Sequence, residues 1–346
     1  MQSESFNKKQ MTTRAKLLYM GLILLGLYAL ILIIAYIKIF AFRSVAVNMD
    51  NMVIFTGLAG AVFGMFITLI VYGYMNSWHI NLPMRKFFAM TAAMLFGYIL
   101  CICVEDFNPY YMPLMFTAFL LISIVDKRDV LMCNIVLNTI VFITVYFEHD
   151  LIDSPYRSLD FVVLLGFGLT MGAILAYYLS GAVTRISFFV RSFILGIINV
   201  ELMYLVSLLW HGFDFASSLL ALSIINFGQI IIAIALQPVF ESLFGLLTNA
   251  KLRELTDHSA PLLKRLIVEA PGTFNHCLSV ASLAEVCAVA IGESALLTKA
   301  CAYYHDIGKL TGPMYFAENQ AAGENPHDNM LPEVSADILR KHTTFG

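Results

Sequence analysis

Charge is what this chain has least of. Lys and Arg number 21 and Asp and Glu 24 among 346 residues, so 13% of positions are charged while 59% are hydrophobic. Soluble domains are charged at about one position in four, so an ordinary soluble protein is excluded and a polytopic membrane protein with a smaller soluble part remains. Cys101, Cys103, Cys133, Cys277, Cys287 and Cys301 include no CxxC pair and are scattered between apolar stretches and the C-terminal part. Neither a disulfide framework nor a thiolate metal site is expected from them. There is no internal repeat and no low-complexity segment. No small-residue cleavage pattern follows the first apolar run, which reads as an anchor rather than a cleavable signal peptide. The net charge of −3 gives no reason to expect a nucleic-acid polymer as partner.

Apolar length is abundant. Runs fall at 17–39, 53–75, 87–104, 110–126, 130–147, 160–179, 189–210 and 216–238, most of them near the roughly 20 residues that a bilayer core requires. Eight crossings follow, although a fused or re-entrant pair among the short third to fifth runs would change the count to seven. Loop charge arbitrates, because cytoplasmic loops are enriched in Lys and Arg. With Lys8, Lys9, Arg14 and Lys16 inside, the inner loops hold Arg85-Lys86, Lys127-Arg128 and Arg185, and the C-terminal part follows with Lys251, Arg253, Lys264 and Arg265. The outer loops hold Glu105-Asp106, then Glu148, Asp150 and Asp153, then Asp214; only Lys38, Arg43 and Arg157 run against the pattern. An even number of spans with both termini inside fits best.

The expected fold class is therefore all-α: a short cytoplasmic segment at 1–16, a helical membrane bundle at 17–238, an amphipathic connector at 239–270 and a helical domain from 271. The connector carries Phe240, Leu243, Phe244, Leu247, Leu252 and Leu255 at helical spacing, a stripe suited to packing or to a homodimer face. In the membrane part, Glu201 is the most conspicuous ionisable residue. Asn226 and Gln229 are its expected partners, either at a functional site or in an interhelical hydrogen bond that fixes the bundle.

The last seventy residues hold His276, then His305-Asp306 inside Tyr-Tyr-His-Asp-Ile-Gly-Lys, then His342. Three imidazoles and a carboxylate suit a transition metal such as iron, manganese or cobalt. The alternative is a chance cluster of surface histidines. Pro271-Gly272-Thr273 signals a helix start that puts His276 in the first turn, and Gly292 a stop. A second helix from about Ser294 to Ile307, closed by Gly308, leaves His305 and Asp306 in its last turn. Lys309 then stands ready to bind a phosphate oxygen or to cap the helix as a cation. His327-Asp328 follows Asn325-Pro326, a turn signal, so this second pair reads as loop-fixing or as support around the ligands. Tyr303 and Tyr304 read as core, with stacking under an adenine ring as the alternative.

At these residues the chain resembles the HD phosphohydrolase superfamily. Leu266 to Phe274, Glu318-Asn319-Gln320 and Asn325 to Asp328 extend the likeness to the seven-transmembrane HD family, the PgpH-type cyclic di-AMP phosphodiesterases. The resemblance implies a metal centre at His276, His305, Asp306 and His342, with Asp306 bridging two divalent ions, most simply iron or manganese. It implies a hydrolase of the bacterial inner membrane that opens cyclic di-AMP to pApA in the cytoplasm. It also implies a large sensor domain after the first span, where this chain has only residues 40–52, and further histidines and a final aspartate beyond Gly346. The HD module is accordingly expected to be incomplete, and a nucleotide-responsive receptor or adaptor that binds without hydrolysis is the alternative.

Overall fold

The computed structural model describes residues 13–152, 158–180, 184–211, 215–320 and 325–345. Lys8, Lys9, Asp153, Arg157, Asp214 and Gly323 lie outside them. Among the described residues every regular element is helical. The chain divides into two compact units, parting between Leu246 and Leu247.

The first unit holds α1 (Thr13–Tyr36), α2 (Met49–Met75), α3 (Trp78–Asn81), α4 (Met84–Glu105), α5 (Phe116–Leu121), α6 (Lys127–Leu151), α7 (Ser158–Leu179), α8 (Arg185–His211) and α9 (Phe215–Phe244). Seven of them are long and apolar enough to cross a bilayer, and the protein is a multi-pass membrane protein. The helix at Pro271–Ala290 also passes by length and hydropathy, but it lies in the second unit and carries His276. α9 runs through Pro238 to Phe244, so the sequence boundary at 239 falls inside a helix. Gly245, at φ +57°, then turns the chain.

The fourth apolar run differs from its expected form. Pro109 and Pro113 break it into a 3-10 turn at Pro109–Tyr111 and the six residues of α5, because proline cannot donate within a helix. It still traverses the bundle. At one end, Lys38 and Arg43 meet Glu105, Asp106 and Glu148; at the other, Tyr72 and Trp78 both donate to Asp129, at 3.1 and 3.0 Å. Glu105 and Asp129 are thus at opposite ends, and the intervening chain must span the depth between them. Tyr110 donates to Asp160 near the first end, and Gln237 to the Phe119 carbonyl further down. Lys16 donates to the Ile80 carbonyl, and Arg185 to Glu241. α1 therefore starts, and α9 finishes, at the Asp129 end.

The charged end is buried. Glu105 and Glu148 have fully covered side chains, and Lys38 is 8% exposed. Lys38 comes off a π-helical turn (Ile37–Phe42) that extends α1. It bonds to Glu105 and lies 3.1 Å from both Asp106 and Glu148. Arg43 reaches Asp106 at 2.7 Å and Glu148 at 2.6 Å, and His149 bonds to Glu105. Such desolvated charges persist only when each has several partners.

Glu201 does not play the part expected of it. Its side chain lies on the exposed face of α8. Asn226 instead donates to the Gly196 carbonyl at 2.9 Å and accepts from both Asn199 and Gln229, so the three neutral amides bond through one shared oxygen where a carboxylate would need a cation.

The second unit contains α10 (Asn249–Thr256), α11 (Pro261–Glu269), α12 (Pro271–Ala290), α13 (Ala295–Tyr304) and α14 (Pro332–Phe345), with short 3-10 turns between the last two. Thr248 caps α10 by accepting from Lys251 N, and Ser294 caps α13 by accepting from Leu297 N. Leu263, Ala281, Ala302 and Tyr303 form one small core and Leu266, Ala270 and Cys277 another. These hold α11, α12 and α13 together.

Candidate metal centre

Pro271 occupies the first turn of α12, where its missing N–H costs nothing. His276 consequently falls in the second turn rather than the first. α13 stops at Tyr304, earlier than the glycine suggested, and the chain tightens into a 3-10 helix at Ile307–Thr311 with Gly308 buried inside it. His305 and Asp306 sit at this junction, which turns the Asp306 carboxylate inward to 9% side-chain exposure. His342 comes from the last turn of α14.

The four residues converge. Asp306 Oδ2 lies 3.4 Å from His305 Nε2 and 3.8 Å from His276 Nε2, while Oδ1 lies 3.5 Å from His342 Nε2. Atoms bound about 2.0–2.2 Å from one ion stand roughly 3–3.5 Å apart; the His305 and His342 distances fall in that range and the His276 distance is slightly wider, and His276, His305 and Asp306 are close enough together to share one ion. The proton positions agree. His305 Nδ1 lies 2.7 Å from the Ala302 carbonyl, and His342 Nδ1 lies 2.6 Å from the Leu339 carbonyl. A carbonyl only accepts, so both rings carry hydrogen on Nδ1 and leave the Nε2 lone pair toward Asp306. Cys277, buried beside His305, has its thiol pushed up to about 11 by burial first and then by the Asp306 charge.

Lys309 neutralises the carboxylate. Its Nζ lies 2.8 Å from Asp306 Oδ2 and 2.7 Å from Glu318 Oε1. Burial works to lower its pKa, but the bonds from Asp306 and Glu318 outweigh this and raise it. Glu318 feels burial in the opposite sense, and its bonds from Lys309 and Thr273 leave its carboxyl below the usual range. The helix-capping alternative for Lys309 does not describe these contacts.

Glu318 and Asn319 support the site in a way that residue type alone did not reveal. Ala270 offers α12 no side-chain cap, so the first helical N–H groups need acceptors from elsewhere. Asn319 Oδ1 accepts from Thr273 N at 3.1 Å, its amide donates to Thr273 Oγ1 at 2.8 Å, and Thr273 donates to Glu318 at 3.0 Å. The fit needs Gly272, since a Cβ there would lie 1.8 Å from the Glu318 carbonyl oxygen.

His327 and Asp328 stand apart from the four candidate ligands. His327 Nε2 donates to the Tyr315 carbonyl at 2.8 Å, and Ser335 Oγ donates to Nδ1 at 2.7 Å, which ties α14 to the turn at Pro313–Tyr315. Asp328 accepts from Asn325 at 2.9 Å. Tyr303 is core, and Tyr304 donates to the Leu255 carbonyl at 2.7 Å.

This ordered set of His, His-Asp and His on four helical elements coincides with a known family. Residues 273–346 match the family model described as HD domain. The chain is 41% identical over 190 residues to the cyclic-di-AMP phosphodiesterase PgpH of Listeria monocytogenes, covering 51% of this chain and 26% of that protein. It is 37% identical over 155 residues to PgpH of Bacillus subtilis, covering 45% of this chain and 22% of that one. The chain thus spans about a quarter of the length of these curated relatives. The crystal structure of the L. monocytogenes PgpH HD domain is 52% identical where matched, with a TM-score of 0.24, over 25% of this chain and 41% of that chain. HD domains are metal-dependent, and the residues present here fit a metal.

Proposed function

We propose that the protein is a membrane-anchored, metal-dependent phosphodiesterase that opens cyclic di-AMP to pApA on the cytoplasmic side. The observation that carries this reading is the convergence of three imidazole Nε2 atoms on one buried carboxylate, in a chain whose relatives are named cyclic-di-AMP phosphodiesterases. His276, His305, Asp306 and His342 would hold divalent ions, iron or manganese. With Oδ2 toward His276 and His305 and Oδ1 toward His342, Asp306 is suited to bridge two of them. Such ions supply Lewis-acid stabilisation of a phosphodiester and lower the pKa of water. The Nδ1 contacts of His305 and His342 with backbone carbonyls would hold both rings with Nε2 turned toward the ions. Lys309, held between Asp306 and Glu318, supplies a positive charge for a non-bridging phosphate oxygen. His327 and Asp328 keep α14, and with it His342, in register.

The test is incubation of the purified full chain with cyclic di-AMP and added manganese or iron, with pApA followed by chromatography. Release of pApA that is lost in Asp306→Ala is the expected result. Saturable binding without release would move the reading to a nucleotide receptor.

A further inference from the structure

α1 and α2 do not close against each other along their whole length. Two adjoining hollows of about 280 and 530 Å³ lie between them and share Leu17, Gly21, Leu24 and Ile70, so they form one groove. A Cβ placed on Gly21 would meet nothing within 4 Å, so the glycine leaves the groove open without being required by any close neighbour. The groove is closed at its deep end. Tyr28 donates to the Ala59 carbonyl at 3.2 Å and sets its ring edge-on to Phe63 and Phe66. From Arg14 to Tyr28 the helix rises about 21 Å, somewhat more than the roughly 15 Å depth of one leaflet.

The open end has a different chemistry. Arg14 is the charged side chain lining the larger hollow, and Trp78 and His79 line the smaller one. Lys16 lies at the same end, bonded to the Ile80 carbonyl. An apolar slot closed at depth, with a cation and interfacial aromatic residues at its mouth, complements a lipid whose headgroup is an anion.

We propose that this groove binds an anionic phospholipid, with one acyl chain laid along Gly21 and its phosphate at Arg14. A neutral headgroup would leave Arg14 without its counter-charge, so selectivity for the anion is part of the proposal.

The experiment reconstitutes the full chain in nanodiscs containing trace phosphatidylglycerol with a photoreactive acyl chain, and maps adducts by mass spectrometry. Adducts should concentrate on α1 and α2 around Gly21 and Ile70, and unlabelled phosphatidylglycerol should compete at least tenfold better than phosphatidylcholine. Gly21→Phe should cut labelling at least tenfold with an unchanged melting temperature. Ile70→Trp fills the same space from the other helix and serves if Gly21→Phe does not fold. Arg14→Gln should bring the two competitors to parity. Labelling spread evenly around the bundle, labelling that survives both filling variants, or equal competition by the two lipids in the parent chain would overturn the proposal.

Discussion

Asp306 presents two oxygens to different neighbours, and this division makes its role testable separately from that of the other His-Asp pair. Asp306→Ala should remove bound metal and abolish turnover together. Asp328→Ala, whose parent carboxylate bonds only Asn325 among the described residues, should keep its metal and lose at most about 10–100-fold in rate. Elemental analysis beside the turnover assay decides the matter, and metal lost from the Asp328 variant but retained in the Asp306 variant would show the wrong pair had been assigned. Lys309→Met should retain metal and lower kcat/KM by about 10–100-fold, the scale of one charge-assisted hydrogen bond. At this scale residue type and order pointed to the four candidate ligands, and the fold brings all four to Asp306. The work of Thr273, Ser335, Glu318 and Asn319 was not, because each acts through a partner that only the folded chain brings near.

Elements are held in place by a few close approaches, and these were harder to read. Gly292 ends α12 in a left-handed turn at φ +75°, as its sequence position suggests. Gly308 has the same local look but is spent inside a 3-10 helix, because the inward turn of Asp306 needs the chain to tighten first. Gly272 reads locally only as part of a helix start, and its necessity comes from Glu318, 46 residues on. Gly272→Ala should destabilise the second unit by about 1–3 kcal/mol through the clash with that carbonyl, seen as a lower melting temperature. His327→Ala should loosen α14 and weaken metal binding without removing a ligand, which a metal titration would resolve. In the bundle, Lys38→Met leaves Glu105 and Glu148 buried with a cation removed, and should cost about 3–5 kcal/mol in a denaturation series. A melting curve unchanged from the parent would show the cluster to be hydrated.

For the molecule as a whole, hydropathy marks the eight apolar runs, while loop charge proposes which of their ends face the cytoplasm. Lys38 and Arg43 run against that rule and are also the two cations paired with Glu105, Asp106 and Glu148, so their charge is compensated locally and does not argue for the other orientation. Arg43, Glu105 and Glu148 were assigned to loops because no local pattern distinguishes a solvated carboxylate from one covered by a distant helix. The topology is tested by single cysteines at Asp150 and Lys127 in a cysteine-free background. An impermeant thiol reagent should reach them from opposite faces of the membrane, and labelling of both from one face would rule out the eight-traverse path.

The broken fourth traverse bears on how the protein is made. A continuous apolar helix satisfies its own backbone and can enter the lipid alone, but a segment interrupted by Pro109 and Pro113 exposes peptide groups that lipid cannot solvate. One of them, the Phe119 carbonyl, is met by Gln237, which emerges from the ribosome more than a hundred residues later. Residues 106–126 must therefore wait in a sheltered or watery setting until α9 has been synthesised, and nascent chains stopped before α9 should show Lys127 still accessible from the same face as Asp106.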